Sequence, residues 1–181
     1  MGKIRNCKKI IVVGNAGSGK THFSIQLAEI LGLPLIHLDK EYWNENWTET
    51  PRENWLNKHR ELISGDSWII DGHYSSLLKP RFKEADGVIF LDIANTACYK
   101  NLLERRIKFA NTPRPDLPPN CPEFLRKDQW RKIRFYRTER NRLHTYMQRY
   151  PKEFVFTLYN RNEEKKFLDE LRAGKEPTKN Y

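Results

Sequence analysis

Apolar positions along the chain follow two alternating rhythms. Lys8 to Val13 ends in Ile-Ile-Val-Val with a glycine directly after it, the unbroken apolar run of a strand buried on both faces. Leu33 to Leu38, Trp68 to Asp71, Val88 to Asp92 and Phe154 to Leu158 repeat this pattern, so the sequence predicts a sheet of five strands. Helical spacing fills the gaps between them. Thr21 to Leu31 puts Phe23, Leu27, Ile30 and Leu31 on one face, with Gly32 as the stop. Thr50-Pro51-Arg52-Glu53 has the form of a capping box, with Thr50 as N-cap. It predicts a helix with Trp55, His59, Leu62 and Ile63 on its apolar face, ending at Gly65. Further helices are predicted from about Thr96 to Ala110, as one long segment from Glu123 to Arg149, and from Glu163 to Leu171. Asn111 to Pro122 has five prolines in twelve residues, which excludes helix and central strand and reads as a loop or lid.

Strands that alternate with helices form a parallel sheet, because parallel neighbours need crossover connections. The 181 residues suit one domain, 1–181, with a lid region at about 108–130 and helices on both faces of the sheet. No apolar run approaches the roughly 20 residues needed to span a membrane. The basic, briefly apolar N-terminus runs into glycines rather than a cleavage site. Cys7, Cys98 and Cys121 form no C-x-x-C pair. These features point to a cytoplasmic protein with no membrane partner.

Charge narrows the partner. A net charge of +10 favours something anionic: nucleic acid, a membrane surface or a polyphosphate. Glu123 to Arg149 alone has seven arginines and two lysines against three acids.

The chemistry concentrates in Gly14-Asn15-Ala16-Gly17-Ser18-Gly19-Lys20-Thr21, a complete G-x-x-x-x-G-K-S/T motif between a predicted strand and a predicted helix. Glycines let successive backbone N–H groups and the helix N-terminus close around phosphate oxygens. Lys20 is placed to reach the outer phosphates and Thr21 to ligate Mg²⁺. The fold class that follows is α/β, a three-layer P-loop NTPase fold, and the motif implies nucleoside triphosphate binding without choosing among switch, motor and kinase.

Ligands in open parallel sheets gather outside the carboxyl ends of the strands. That rule brings Asp39, Asp71 and Asp92 beside the glycine loop. Asp71, which ends a strand, suits the magnesium shell. Asp92 reads more readily as a cap or turn former, and Asp39 either as a cap or as an acceptor-facing group. His37 shares a strand face with Asp39. Tyr42, Trp43, Trp47 and Tyr74 offer flat apolar surface with polar edges and read as an acceptor wall, whereas Trp55 and Trp68 read as core.

Together, Gly14 to Thr21, Asp71-Gly72, the strand VIFLD and Glu104-Arg105 resemble P-loop kinases of the adenylate-kinase type. His37-Leu38-Asp39, Trp43, Pro51-Arg52-Glu53, Ile69 to Gly72 and Thr112 to Asp116 are similar, more closely, to a bacterial subgroup called DNA topology modulation proteins. The likeness covers about residues 8 to 171. It implies five parallel strands, ATP with Mg²⁺, a closing lid, and phosphoryl transfer to a nucleotide or other small molecule. By the same resemblance, Arg105, Arg114, Arg134 and Arg137 are the catalytic arginines, with Arg131 a lesser choice, and Arg81 holds an acceptor anion. Asp71-Gly72-His73-Tyr74-Ser75 stands where adenylate kinases have Asp-Gly-Phe-Pro-Arg, which argues against AMP as acceptor while leaving Gly72, His73 and Tyr74 as acceptor-binding positions. The lid's single cysteine, Cys121, leads to the expectation of no structural zinc. A nucleic-acid-binding ATPase is the alternative, suggested by the basic segment and the subgroup's name. The protein is expected to act as a monomer or homodimer.

Overall fold

A computed structural model describes residues 4–110, 112, 114, 116–118, 120–122, 127–152 and 154–177. The five expected strands are present: β1 (Lys9–Gly14), β2 (Leu35–His37), β5 (Trp68–Asp71), β6 (Gly87–Leu91) and β7 (Phe154–Leu158). They pair in parallel in the order β2-β5-β1-β6-β7. A two-stranded antiparallel ribbon, β3 (Trp43–Asn44) with β4 (Thr48–Glu49), stands apart from the sheet.

Period-2 alternation in β1 divides the core into two layers. Ile10 and Val12 face a cluster containing Phe23 and Leu27 of α1 (Lys20–Leu31), Cys98 and Leu102 of α5 (Asn95–Lys108), and Phe167, Leu168 and Leu171 of α8 (Arg161–Arg172). Ile11 and Val13 face the opposite cluster, with Trp55 and Ile63 of α3 (Arg52–Ser64), Leu78 and Phe82 of α4 (Leu78–Glu84), and Leu143 of α7 (Tyr136–Arg149). Helices therefore cover both faces, as a buried parallel sheet requires. β1 lies at the centre: the chain first builds β2 and β5 on one side of it, then β6 and β7 on the other. The glycine loop leaves β1 at this reversal, the position where such sheets bind ligands.

Three local expectations need correction. The segment expected as one helix is two, α6 (Lys127–Arg134) and α7, separated at Phe135, whose φ of −100° and ψ of 18° leave the helical range. Thr50 does not cap α3; Pro51 takes the N-cap position, with no side-chain cap bond. The Thr50 hydroxyl instead donates to the Tyr42 carbonyl oxygen at 2.5 Å and accepts from Asn44 Nδ2 at 3.1 Å, closing the neck of the ribbon. Finally, the strand expected to reach Leu38 ends at His37, and Leu38 opens a short helix, α2 (Leu38–Tyr42), so Asp39 sits in its first turn. The lid region falls between the end of α5 and the start of α6, and its residues 111, 113, 115, 119 and 123–126 lie outside the described set.

Candidate functional site

A cleft of about 1490 Å³ opens at the carboxyl ends of the strands. One wall is the glycine loop, whose conformation only glycine permits at several points. Gly19 has φ of +90°, and a Cβ there would strike the Arg161 guanidinium. Gly17 has φ of +74°, and a Cβ would strike the Cys98 carbonyl. Lys20 Nζ donates to the carbonyls of Gly14 at 3.1 Å and Asn15 at 2.7 Å. Burial lowers the Lys20 pKa, against the opposing pull of Asp71 and Asp39.

Arg105, Lys108, Arg114, Arg131, Lys132 and Arg161 also line this cleft, so cations gather on the phosphate-binding side. Arg161 was not singled out from the sequence. It opens α8, far along the chain from the loop it covers, and no local signal marks it. Its partner, Glu164, is buried and ion-paired to it, with Nη1 to Oε2 at 2.5 Å. Of the arginines expected to be catalytic, Arg105 and Arg114 line the cleft, but Arg134 and Arg137 do not. Both are exposed, and Arg134 lies over the Phe135 ring. The two flank the break at Phe135, one ending α6 and the other in the first turn of α7, whereas the resemblance assumes one helix leaving the lid.

Thr21 and Asp71 both face the cleft. These hard oxygen donors suit Mg²⁺, which holds a small number of protein ligands and completes its octahedron with phosphate oxygens and water. Among the described residues no group of three His, Cys, Asp or Glu side chains is arranged to hold an ion unaided. Asp71 Oδ2 is 3.2 Å from His37 Nδ1. Thr21 Oγ1 donates to Asp116 Oδ2 at 3.2 Å, a lid contact from 95 residues away. Arg114 grips the same carboxylate through Nε at 2.9 Å to Oδ1 and through Nη2 to Oδ2. Burial works against the Asp116 charge, but Arg114 outweighs it and holds the carboxyl below its ordinary pKa.

The opposite wall is aromatic. Tyr42, Trp43, Trp47, Trp55 and Tyr74 line it, with ring centroids 5.0–5.3 Å apart in successive edge-to-face or tilted contacts. Trp55, expected to be core, is buried and also reaches the cleft, whereas Trp68 is wholly core. Asp39 faces this wall and accepts from the Tyr74 hydroxyl at 2.9 Å. Glu49 lines the same side, as does Arg52, which the sequence marked only as part of the Pro51-Arg52-Glu53 motif.

Gly72, His73 and Tyr74 form the floor. Gly72 has φ of +138°, and a Cβ would meet the Leu38 side chain at 2.8 Å. Tyr74 has φ of +34°, a left-handed conformation costly for a residue with a side chain. Arg81 holds the turn in place. Its guanidinium is buried and donates to the carbonyls of Gly72 at 2.6 Å, His73, Tyr74 at 3.2 Å and Leu77 at 3.2 Å. Burial pulls its pKa down to about 9, while Asp71 favours its charge. Arg81 therefore braces this floor from behind and, expected to hold an acceptor anion, does not line the cleft. His73 Nε2 contacts Glu139 Oε2 at 3.1 Å; burial depresses its pKa to about 4 despite that hydrogen bond. Asp92 does not line the cleft: its carboxylate accepts from Arg140 Nε at 2.9 Å, and the pair ties β6 to α7.

This architecture has well-matched relatives. Shikimate kinase from Acinetobacter baumannii in complex with shikimate superposes with a TM-score of 0.59 at 18% identity, covering 94% of this chain and 96% of that one. Shikimate kinase from Bacteroides thetaiotaomicron gives 0.53 at 20% identity, over 92% and 97%. A gluconokinase from Sinorhizobium meliloti gives 0.50 at 14% identity, over 92% and 90%. At these identities the likeness is one of fold, a five-stranded parallel sheet flanked by helices as in P-loop kinases. No curated protein matches the chain. The AAA domain matches residues 10–112, from within β1 through the glycine loop and four of the five sheet strands to the start of the lid. That is more than half of its length, so the chain belongs to the AAA domain family.

Proposed function

We propose that the protein is an ATP-dependent kinase that phosphorylates a hydroxyl or phosphate group of a small molecule. One observation carries this reading: the cation-rich glycine loop and the aromatic wall bearing Asp39 face each other across a single cleft. Phosphoryl transfer asks a protein mainly to position two reactants and neutralise charge. The loop's N–H groups and Lys20 hold the β- and γ-phosphates, with Arg105 and Arg114 toward the moving group. Thr21, with Asp71 close by, holds Mg²⁺, which supplies charge neutralisation at those phosphates when bound. Asp39 receives the acceptor's proton as its oxygen bonds to the γ-phosphorus and the bond to the bridging oxygen breaks, releasing ADP. The shikimate kinases and the gluconokinase that share the fold support the class of reaction, not the acceptor. Three buried cysteine thiols suit a cytoplasmic setting.

Incubation with Mg-ATP and a panel of nucleosides, nucleotides, sugars and hydroxy acids tests the proposal. ADP release stimulated by an acceptor, with a phosphorylated product, is the expected result. Acceptor-independent release without a product would overturn it.

A second reading keeps the nucleotide site but gives it a nucleic-acid partner, as in DNA topology modulation. The exposed Arg134 and Arg137, outside the cleft, favour it. A gel shift on duplex DNA that weakens steeply with salt and responds to ATP would establish this alternative; no shift at low salt would remove it.

A further inference from the structure

The lid residue Asp116 has no role in the chemistry so far, yet it is buried at the metal-binding threonine. A threonine hydroxyl has one proton to donate and two lone pairs to offer. To ligate a cation through oxygen, it must direct its proton elsewhere, and the acceptor of that proton fixes where the lone pairs point. The strand-end acid Asp71 is the obvious acceptor, but its Oδ2 lies against His37. The Thr21 proton goes instead to Asp116 Oδ2, at 3.2 Å. The same carboxylate holds the Arg114 guanidinium through two hydrogen bonds, and both residues line the phosphate side of the cleft. One carboxylate therefore touches the lid's arginine and the loop's metal-binding hydroxyl together.

We propose that Asp116 is a positioning residue for Mg²⁺ binding, taking the Thr21 proton and holding Arg114 at the cleft. The proposal rests on the nucleotide-site assignment above and extends it. With its proton directed to Asp116, the threonine oxygen presents its lone pairs to the ion; without that acceptor the lone pairs are not aimed and Arg114 is not held. Nucleotide binding then depends on Mg²⁺ through a residue of the lid, not through the loop alone.

The test is a binding titration of a fluorescent ADP analogue, once with excess Mg²⁺ and once with EDTA, for the wild type, Asp116→Ala, Asp116→Asn and Asp116→Glu, each checked by thermal melting. In the wild type Mg²⁺ tightens binding. In Asp116→Ala that Mg²⁺-dependent gain shrinks about tenfold, the size of one charge-assisted hydrogen bond, while affinity in EDTA falls by a smaller factor, through the loosened Arg114. Asp116→Glu recovers part of the gain, and the near-isosteric Asp116→Asn gives the same reading should the alanine variant fold poorly. Three results would overturn the proposal: an unchanged Mg²⁺ gain, tighter Mg-ADP binding in the variants, which would make Asp116 a plug, or equal losses with and without Mg²⁺, which would make it lid packing only. Wild-type protein that binds no nucleotide would overturn the nucleotide-site assignment itself.

Discussion

The two walls of the cleft are built in opposite ways. The glycine-loop side, proposed to hold phosphate, is backbone: eight consecutive residues leave the central strand, turn through positive-φ glycines and enter a helix, with cations from distant elements arriving around them. The aromatic side, proposed to hold the acceptor, is side chains, a group of aromatics with Asp39 and one lining arginine, Arg52, standing on a strained turn that Arg81 ties down through four carbonyls. A phosphate chain is the same in every ATP, so a fixed cradle of N–H groups serves it. An acceptor differs from one kinase to the next, and a wall of exchangeable side chains can be refitted without disturbing the cradle.

If the walls are separable, damage to one should spare the other. Lys20→Ala gives the largest effect: loss of the ammonium from the phosphate side should cut Mg-ATP turnover by about 10³-fold and weaken nucleotide binding as measured by calorimetry. Asp39→Asn should cut transfer to the acceptor by about 10²-fold while leaving calorimetric Mg-ATP affinity unchanged; a matching loss of affinity would break the division. Arg81→Leu leaves buried carbonyls without donors and should lower unfolding stability by about 2–4 kcal/mol in urea titration, with nucleotide binding retained by the folded fraction. The smallest effect is acid sensitivity. Buried His59, on the acceptor-side helix α3, has its pKa pulled by burial and by Arg81 from 6.5 to about 4. The unfolded chain binds that proton near 6.5 and the folded chain only near 4, so stability is full above this window and falls as pH drops through it. His59→Phe should flatten the pH dependence of the melting temperature between those limits.

The phosphate wall was legible because its determinants are contiguous and glycine-limited, and the sheet because strands buried on both faces are apolar without interruption. What escaped the sequence has a common cause. Resemblance assigns Arg134 and Arg137 to the site on the premise of one continuous helix, and the break at Phe135 between α6 and α7 has no strong marker in the sequence. Ten residues of spacing placed Arg81 near the floor but could not tell a guanidinium aimed at a ligand from one folded onto carbonyls. Arg161 over Gly19 and Asp116 on Thr21 are pairings across most of the chain. In each case the side chain's direction was decided by tertiary packing, which periodicity does not encode.

The ribbon's Trp47 holds the lid from the far side. Its indole Nε1 donates to the Pro122 carbonyl at 3.2 Å, and its backbone N–H points to Cys121 Sγ at 3.4 Å. Any parting of the two segments would strip the indole of that partner and expose it further, so the part of the tryptophan emission that Trp47→Phe removes should shift to the red when ribbon and lid separate.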